Sequence, residues 1–199
     1  MANNVSNYLE VKGTDEMIDA LHVLFDKCEE GSHADITLFC KTFYDEVETN
    51  EEGTSVMNTW TYDNLGAKWV YLENTIDTGR WNIQSANYTP KEFWIRLYEI
   101  AVKIDPEVVI EVQFEDESVS PVGAVVIKKY EGRPSIHIEE NYDLEDPTDE
   151  MDWEDENYDE VQQEFQGVKE DAMEACMVES YRMIDGNDGE ELYDDEDEV

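Results

Sequence analysis

The chain has 199 residues, and its 52 acidic residues against 13 basic ones give a formal net charge of −39 and a pI near 4.1. Hydrophobic residues make up 40% of the chain and aromatic residues 11%, which excludes an acidic polymer that is disordered throughout. The charge disfavours direct binding to nucleic acid or to an anionic membrane, because such affinity comes mainly from Lys and Arg. A basic partner is the natural complement.

Acidic residues concentrate in the last third of the chain. Residues 139–199 carry 27 acids against Lys169 and Arg182, while residues 1–138 carry 25 acids against 11 bases. We therefore predict an α+β domain over residues 1–138 that folds on its own, followed by an acidic extension. The start of the chain lacks the basic and apolar stretches of a signal peptide, and no run of about 18 apolar residues is present, so we expect a cytoplasmic protein.

The first part of the chain predicts a strand, a helix and a second strand. Residues 5–11 predict the first strand. Thr14 is a typical N-cap for a helix whose apolar face extends from Met17 to Cys28. Residues 35–43 predict the second strand, because apolar side chains alternate there with other residues.

A loop and a hairpin are expected next. Residues 45–55 are acidic and polar, which is typical of an exposed loop. Residues 67–76 and 80–86 predict a hairpin around Asp77-Thr78-Gly79, because glycine supplies the positive φ that a three-residue connection needs.

The strongest local signal is Thr89-Pro90-Lys91-Glu92, which has the residues of a capping box with proline at the first helical position. Apolar residues follow at helical spacing until Pro106. Residues 108–114 and 122–130 then predict two more strands. Two helices on one face of a mostly antiparallel sheet predict an α+β fold, and more narrowly a ferredoxin-like sandwich.

Several motifs stand out between residues 4 and 130. They are Trp60, Asn64, Leu65-Gly66-Ala67-Lys68-Trp69, the predicted hairpin, the helix after Pro90, Phe114-Glu115-Asp116-Glu117 and Gly123. Together they resemble the Api92-like or YubB-type ferredoxin-like proteins of phages and plasmids. The resemblance implies a fold and a mobile-element origin, and it implies no catalytic chemistry.

The acidic extension predicts one long amphipathic helix over residues 157–184 and a flexible acidic tail. Asn157 and Glu160 have capping spacing at its start, and residues 194–198 form a block of like charge. The predicted apolar stripe comprises Val161, Phe165, Val168, Ala172, Cys176 and Met183. Carboxylates occupy the opposite side of this helix.

Catalytic and metal sites find little support in the sequence. His22, His33 and His137 lack the spacing of metal ligands. Residues 185–189 resemble the opening of a calcium loop, but Glu190 stands where that loop needs glycine. We therefore predict no metal, no cofactor and no enzymatic activity.

The candidate partner-binding residues are the carboxylates and aromatic anchors of the extension. They are Asp149, Glu150, Asp152, Trp153, Glu154, Asp155, Glu156, Tyr158, Asp159, Glu160, Glu164, Glu170, Asp171 and Glu174. Carboxylates four residues apart on a helix lie about 6 Å apart, which favours imitation of a phosphate ladder.

The leading hypothesis is a phage- or plasmid-encoded DNA mimic that occupies the basic nucleic-acid-binding surface of a host defence protein, such as a nuclease, a restriction enzyme or a CRISPR effector. The alternative is a non-enzymatic accessory protein that binds a basic partner by charge without mimicry. A metal-dependent enzyme is the third class. The sequence leaves the oligomeric state open, and a homodimer is compatible with it.

Overall fold

The computed structural model describes residues 3–29, 35–53, 55–148, 151, 157–186 and 189–192. Within these ranges the strands are β1 (Asn4–Lys12), β2 (Val70–Asp77), β3 (Arg80–Ala86), β4 (Val109–Asp116), β5 (Val122–Tyr130), β6 (Arg133–Asn141) and the two-residue β7 (Glu190–Glu191). The helices are α1 (Asp15–Glu29), α2 (Ile36–Phe43), α3 (Asn58–Leu65), α4 (Lys91–Ala101) and α5 (Tyr158–Asp185).

All strands belong to one antiparallel sheet with the order β2-β3-β1-β4-β5-β6-β7. The predicted α+β class is therefore confirmed. The hairpin of β2 and β3 is also confirmed, and its Gly79 has the positive φ of 76° that the turn requires.

The first face of the sheet carries the main apolar core beneath α1, α2 and α4. Helix α1 buries Met17, Leu21 and Phe25, which are spaced four residues apart and so share one side of the helix. Phe25 stacks on Trp81 of β3 with 4.5 Å between ring centroids. Aromatic packing of this kind fixes the helices over β1–β4.

The second face is covered in part by α5, which lies over β5 with β4 and β6 at its flanks. Strand residues alternate between the two faces. On β5 the side chains of Val122, Ala124 and Val126 are fully buried on the second face, opposite the charged residues Glu115 and Glu111 of β4.

The predicted strand over residues 35–43 is wrong, because this segment forms α2. The Asp35 carboxylate accepts a hydrogen bond from the Leu38 backbone N–H at 2.9 Å and caps the helix. Phe39 and Phe43 then lie four residues apart, and both pack against Phe93. Packing of these two rings in the core therefore favours the helix over the strand that the apolar alternation predicted.

The predicted capping box of the α4 helix is also wrong. The helix begins at Lys91, Pro90 occupies the N-cap position, and no side chain caps the helix. The Thr89 hydroxyl instead accepts a hydrogen bond from the buried Trp94 indole N–H at 2.9 Å. The Thr89 hydroxyl therefore bonds the indole and does not cap the helix, because a buried donor without a partner costs free energy.

The predicted boundary between residues 138 and 139 falls inside β6. Helix α5, from the acidic extension, packs on β4, β5 and β6 of the preceding part. The extension therefore supplies one layer of the same fold.

Candidate protein-interaction surface

Helix α5 positions all six of the described acidic candidates. It is 28 residues long, about 42 Å at 1.5 Å per residue. The prediction of a long helix over residues 157–184 is confirmed. Its buried apolar side chains are Phe165, Met173, Cys176 and Ile184. The predicted stripe contained two of these, and Val168, which it also contained, is 49% exposed.

A largely buried ion pair fixes the middle of α5 to the sheet. Lys169 lies on the buried side of the helix, and its ammonium donates to the Glu115 carboxylate of β4. Their side chains are only 16% and 14% exposed. Glu115 also accepts a hydrogen bond from the Tyr8 hydroxyl at 2.7 Å. This three-residue cluster joins β1, β4 and α5.

A second polar cluster fixes the C-terminal part of α5. Glu111 of β4 is 7% exposed and accepts hydrogen bonds from the Tyr181 hydroxyl and, at 2.6 Å, from Lys12 Nζ. Lys128 Nζ lies 2.6 Å from Asp185 Oδ1 and 4.8 Å from the centroid of the Tyr181 ring. These directional contacts set the rotation of α5 about its axis.

The two tyrosines of these clusters have perturbed acidity. Burial, followed by the hydrogen bond to Glu115, raises the pKa of Tyr8 well above its ordinary value. Burial and the hydrogen bond to Glu111 do the same to the pKa of Tyr181. Both hydroxyls therefore remain protonated donors at neutral pH.

Six of the predicted carboxylates point from α5 into solvent. They are Asp159, Glu160, Glu164, Glu170, Asp171 and Glu174, and all six are exposed. At 100° per residue they fall within about 140° of the helix circumference. Within the described residues none of the six forms a salt bridge, since Lys169 pairs with Glu115 and Arg182 with Glu179.

The remaining predicted site residues divide into two groups. Tyr158 is half-buried at the first position of α5. The others lie outside the described residues and are Asp149, Glu150, Asp152, Trp153, Glu154, Asp155 and Glu156.

A groove that the sequence analysis missed runs beside α5 on the second face of the sheet. It has a volume of about 760 Å³. Tyr8 and Gln113 contribute to its floor, and Met173, Met177 and Glu174 form part of its α5 wall. The sequence signal for this groove was the alternation of polar and apolar residues along β1. A strand with one apolar and one polar side predicts a sheet with one face open to solvent.

Among the residues considered for metal binding or catalysis, His33 lies outside the described residues, while His22, His137 and Asp185 have structural partners. Over the described ranges, no group of three or more His, Cys, Asp or Glu side chains is arranged to hold a metal ion. His22 accepts a hydrogen bond from the Gly79 backbone N–H at 3.2 Å, and Asp185 pairs with Lys128. Burial raises the pKa of the Cys40 thiol to about 12, so this thiol is protonated at neutral pH.

Comparisons with family models, with curated proteins and with solved structures found no match to this chain. Among the described helices, none is both long and apolar enough to cross a membrane.

Proposed function

We propose that this protein is a DNA mimic encoded by a phage or plasmid, and that it blocks the nucleic-acid-binding surface of a basic host defence protein in the host cytoplasm. The partner would be a nuclease, a restriction enzyme or a CRISPR effector. Binding is competitive with nucleic acid and needs no catalysis by the mimic.

The carboxylate spacing along α5 is the observation that carries this proposal. Six exposed carboxylates occupy the segment from Asp159 to Glu174, which is about 22 Å long at 1.5 Å per residue. The helix thus presents about one negative charge per 4 Å of axis, close to the roughly 3.4 Å per charge of one DNA strand. A basic groove that binds a strand of phosphates meets a similar density of charge here.

The way α5 is attached supports the same proposal. A mimic gains affinity when its charges are fixed before binding, because less side-chain and backbone freedom is lost in the complex. The largely buried Lys169–Glu115 pair and the Glu111–Tyr181 hydrogen bond hold the helix in one orientation. An acidic segment that served solubility alone has no need of such attachment.

We also propose that residues 4–116 form a ferredoxin-like sandwich. The elements β1, α1, β2, β3, α4 and β4 follow one another in β-α-β-β-α-β order, and the strands lie in the spatial order β2-β3-β1-β4. In this view α2 and α3 are insertions, while β5, β6 and α5 extend the sheet and cover its second face. The topology supports the proposed relationship to the Api92-like or YubB-type proteins.

Competition for DNA tests the proposed function directly. The partner is first captured from host lysate at low salt, and its binding to labelled duplex DNA is then measured by mobility shift. We expect the purified protein to displace the DNA from its partner and to cause no shift on its own. A tight complex between this protein and DNA at moderate salt contradicts mimicry.

A matched pair of charge variants separates mimicry from simple attraction. The test variant replaces Asp159, Glu160 and Glu164 on α5 with their amides, and the control replaces Glu48, Glu51 and Glu52 in an exposed loop. Both change the net charge by the same amount. We expect only the α5 variant to lose competition substantially, while equal losses favour the non-mimetic accessory protein. We also expect EDTA to leave the competition with DNA unchanged, because the proposed binding involves no metal.

A further inference from the structure

The second face of the sheet is only half covered by helix among the described residues. Helix α5 packs on β4, β5 and β6. The second-face side chains of β1, β3 and β2 lie beside α5, and we call this surface the open half-sheet. It comprises Ser6, Tyr8, Glu10, Glu73, Arg80 and Asn82, and Gln84 lies among them with only 8% of its surface exposed.

The open half-sheet is ordered by hydrogen bonds between its strands. The Gln84 amide donates to the Ser6 hydroxyl at 2.9 Å and also to the Glu73 carboxylate. Arg80 pairs with Glu10 at 2.9 Å. These contacts tie β3 to both of its neighbours and fix the polar side chains of this surface before another element binds.

The dimensions of this surface suit a helix. Neighbouring strands lie about 4.8 Å apart, so β1, which is two strands from β5, lies about 10 Å to the side of the α5 axis. Packed helices have interaxial distances of about 8–10 Å. A helix placed beside α5 therefore lies over β1 and β3 and completes the second layer of the fold.

The walls of the adjoining groove define the chemistry of that helix. Met177 of α5 and Ile76 of β2, which is 51% exposed, offer apolar contacts. Glu170 and Glu174 lie along the same α5 wall and form no salt bridge within the described residues. Methionine side chains adapt to varied apolar surfaces, and the two carboxylates favour Lys or Arg.

We propose that the open half-sheet docks an amphipathic basic helix of the partner protein, with its apolar side against Ile76 and Met177 and its cations against Glu170 and Glu174. This inference rests on the proposed function for the basic character of the partner. It locates that partner's contact beside α5 and adds an apolar component that salt does not screen.

Two other occupants fit this surface less well. A second copy of the chain brings a net charge of −39 and its own acidic helix against the same carboxylates, and like charges repel. Nucleic acid is repelled for the same reason. Dimerisation is an outcome of the test that follows, and the mobility shift of DNA with this protein alone tests nucleic acid.

The test uses a synthetic peptide of about 18 residues, or five helical turns, with leucines on one side and arginines on the other. A second peptide has the same composition in an order that distributes the leucines around the helix. Binding of each to the full chain is measured by fluorescence anisotropy at about 0.15 M salt. We expect the amphipathic peptide to bind at least about tenfold more tightly.

Two double variants locate the site without changing charge. Ile76→Gln with Met177→Gln removes apolar contacts in the groove, and Val178→Gln with Val23→Gln is the control. Val178 is 64% exposed on α5 outside the groove lining, and Val23 is 58% exposed on α1 over the first face. We expect the groove variant to weaken amphipathic peptide binding about tenfold and the control to change it less than twofold.

The outcomes separate this inference from the proposed function. Equal binding of the two peptides, or equal effects of the two double variants, overturns docking on the open half-sheet even if DNA competition succeeds. Selective loss in the groove variant supports docking even if the protein fails to displace DNA. Dimerisation in analytical ultracentrifugation that the groove variant abolishes shows that a second copy is the occupant and also overturns the proposal.

Discussion

The two faces of the sheet are held to their helices by different kinds of interaction. On the first face, the fully buried Phe25 and Trp81 stack on each other, and Phe43 contacts both Phe25 and the fully buried Phe93. On the second face, the contact between α5 and the sheet combines a narrow apolar stripe with carboxylates, ammonium groups and tyrosine hydroxyls, among them Glu111 of β4 and Lys169 of α5. One interface is stabilised mainly by apolar burial, and the other also depends on directional polar contacts.

This difference bears on how a highly acidic chain keeps an ordered surface. Apolar burial contributes most of the stabilisation but is non-directional, so it tolerates small rotations of a helix. Hydrogen bonds and ion pairs weaken steeply when their geometry changes. The second face therefore determines which side of α5 meets solvent, while the first face supplies most of the folding energy.

Removal of α5 gives the largest expected effect. A chain ending at residue 141 exposes Val122, Ala124 and Val126, which are fully buried in the intact chain. It also leaves Glu111 and Glu115 without their α5 partners. We expect it to lose cooperative urea unfolding, contrary to the sequence expectation that residues 1–138 fold alone.

A truncation that removes fewer residues serves as the control for this experiment. Residues 1–186 retain α5 and lose β7 with the following tail, so we expect a cooperative transition close to that of the full chain. A cooperative transition of the 1–141 chain near the wild-type midpoint contradicts the view that α5 is an integral layer.

A core substitution on the first face is expected to have the next largest effect. Phe25 is fully buried and contacts both Trp81 and Phe43. Phe25→Ala should lower the free energy of unfolding by about 3–5 kcal/mol, because it removes apolar burial and leaves a cavity. Urea denaturation checks this value. Val23→Ala, at an exposed position of the same helix, should cost less than about 0.5 kcal/mol.

Breaking the largely buried ion pair tests the second face. Lys169→Met leaves the mostly buried Glu115 carboxylate without its ammonium partner, and we expect a loss of about 3 kcal/mol in the free energy of unfolding. Adding Glu115→Gln removes the uncompensated charge and should restore part of that loss. If the double variant is no more stable than the single one, the pair is not the source of the effect.

Much of the fold could be predicted from local patterns. Alternating apolar residues identified β1, β4 and β5, and the turn at Gly79 identified the hairpin. The same reasoning failed at α2, where alternation of Ile36, Leu38 and Cys40 coincides with helical spacing of Phe39 and Phe43. Tertiary packing of the two phenylalanines decided between these periods, and a short window of sequence cannot contain that information.

Only the charge of the candidate surface could be predicted from the sequence. Exposed carboxylates such as Glu164 and Glu174 follow from composition and helical spacing. The pairing of Lys169 with Glu115 joins residues 54 positions apart, and the groove depends on how α5 lies across the strands. Such contacts arise from topology, which the sequence pattern does not specify.

Alkaline pH should produce the smallest of the expected effects and should act on the second face through Tyr8 and Tyr181. Because the folded-state pKa of each tyrosine is raised, its contribution to stability is complete below the unfolded pKa of about 10 and is lost as pH rises towards the folded value. Each therefore adds up to about 1.4 kcal/mol of destabilisation per pH unit above pH 10.

The variant Tyr8→Phe with Tyr181→Phe should start less stable at pH 8, since it lacks two hydrogen bonds to carboxylates, and should lose stability less steeply above pH 10. Tyr62→Phe, at a position 44% exposed, is the control and should follow the wild-type curve. Parallel curves for the wild type and the double variant, measured by urea denaturation from pH 8 to 11, contradict the role given to these two hydroxyls.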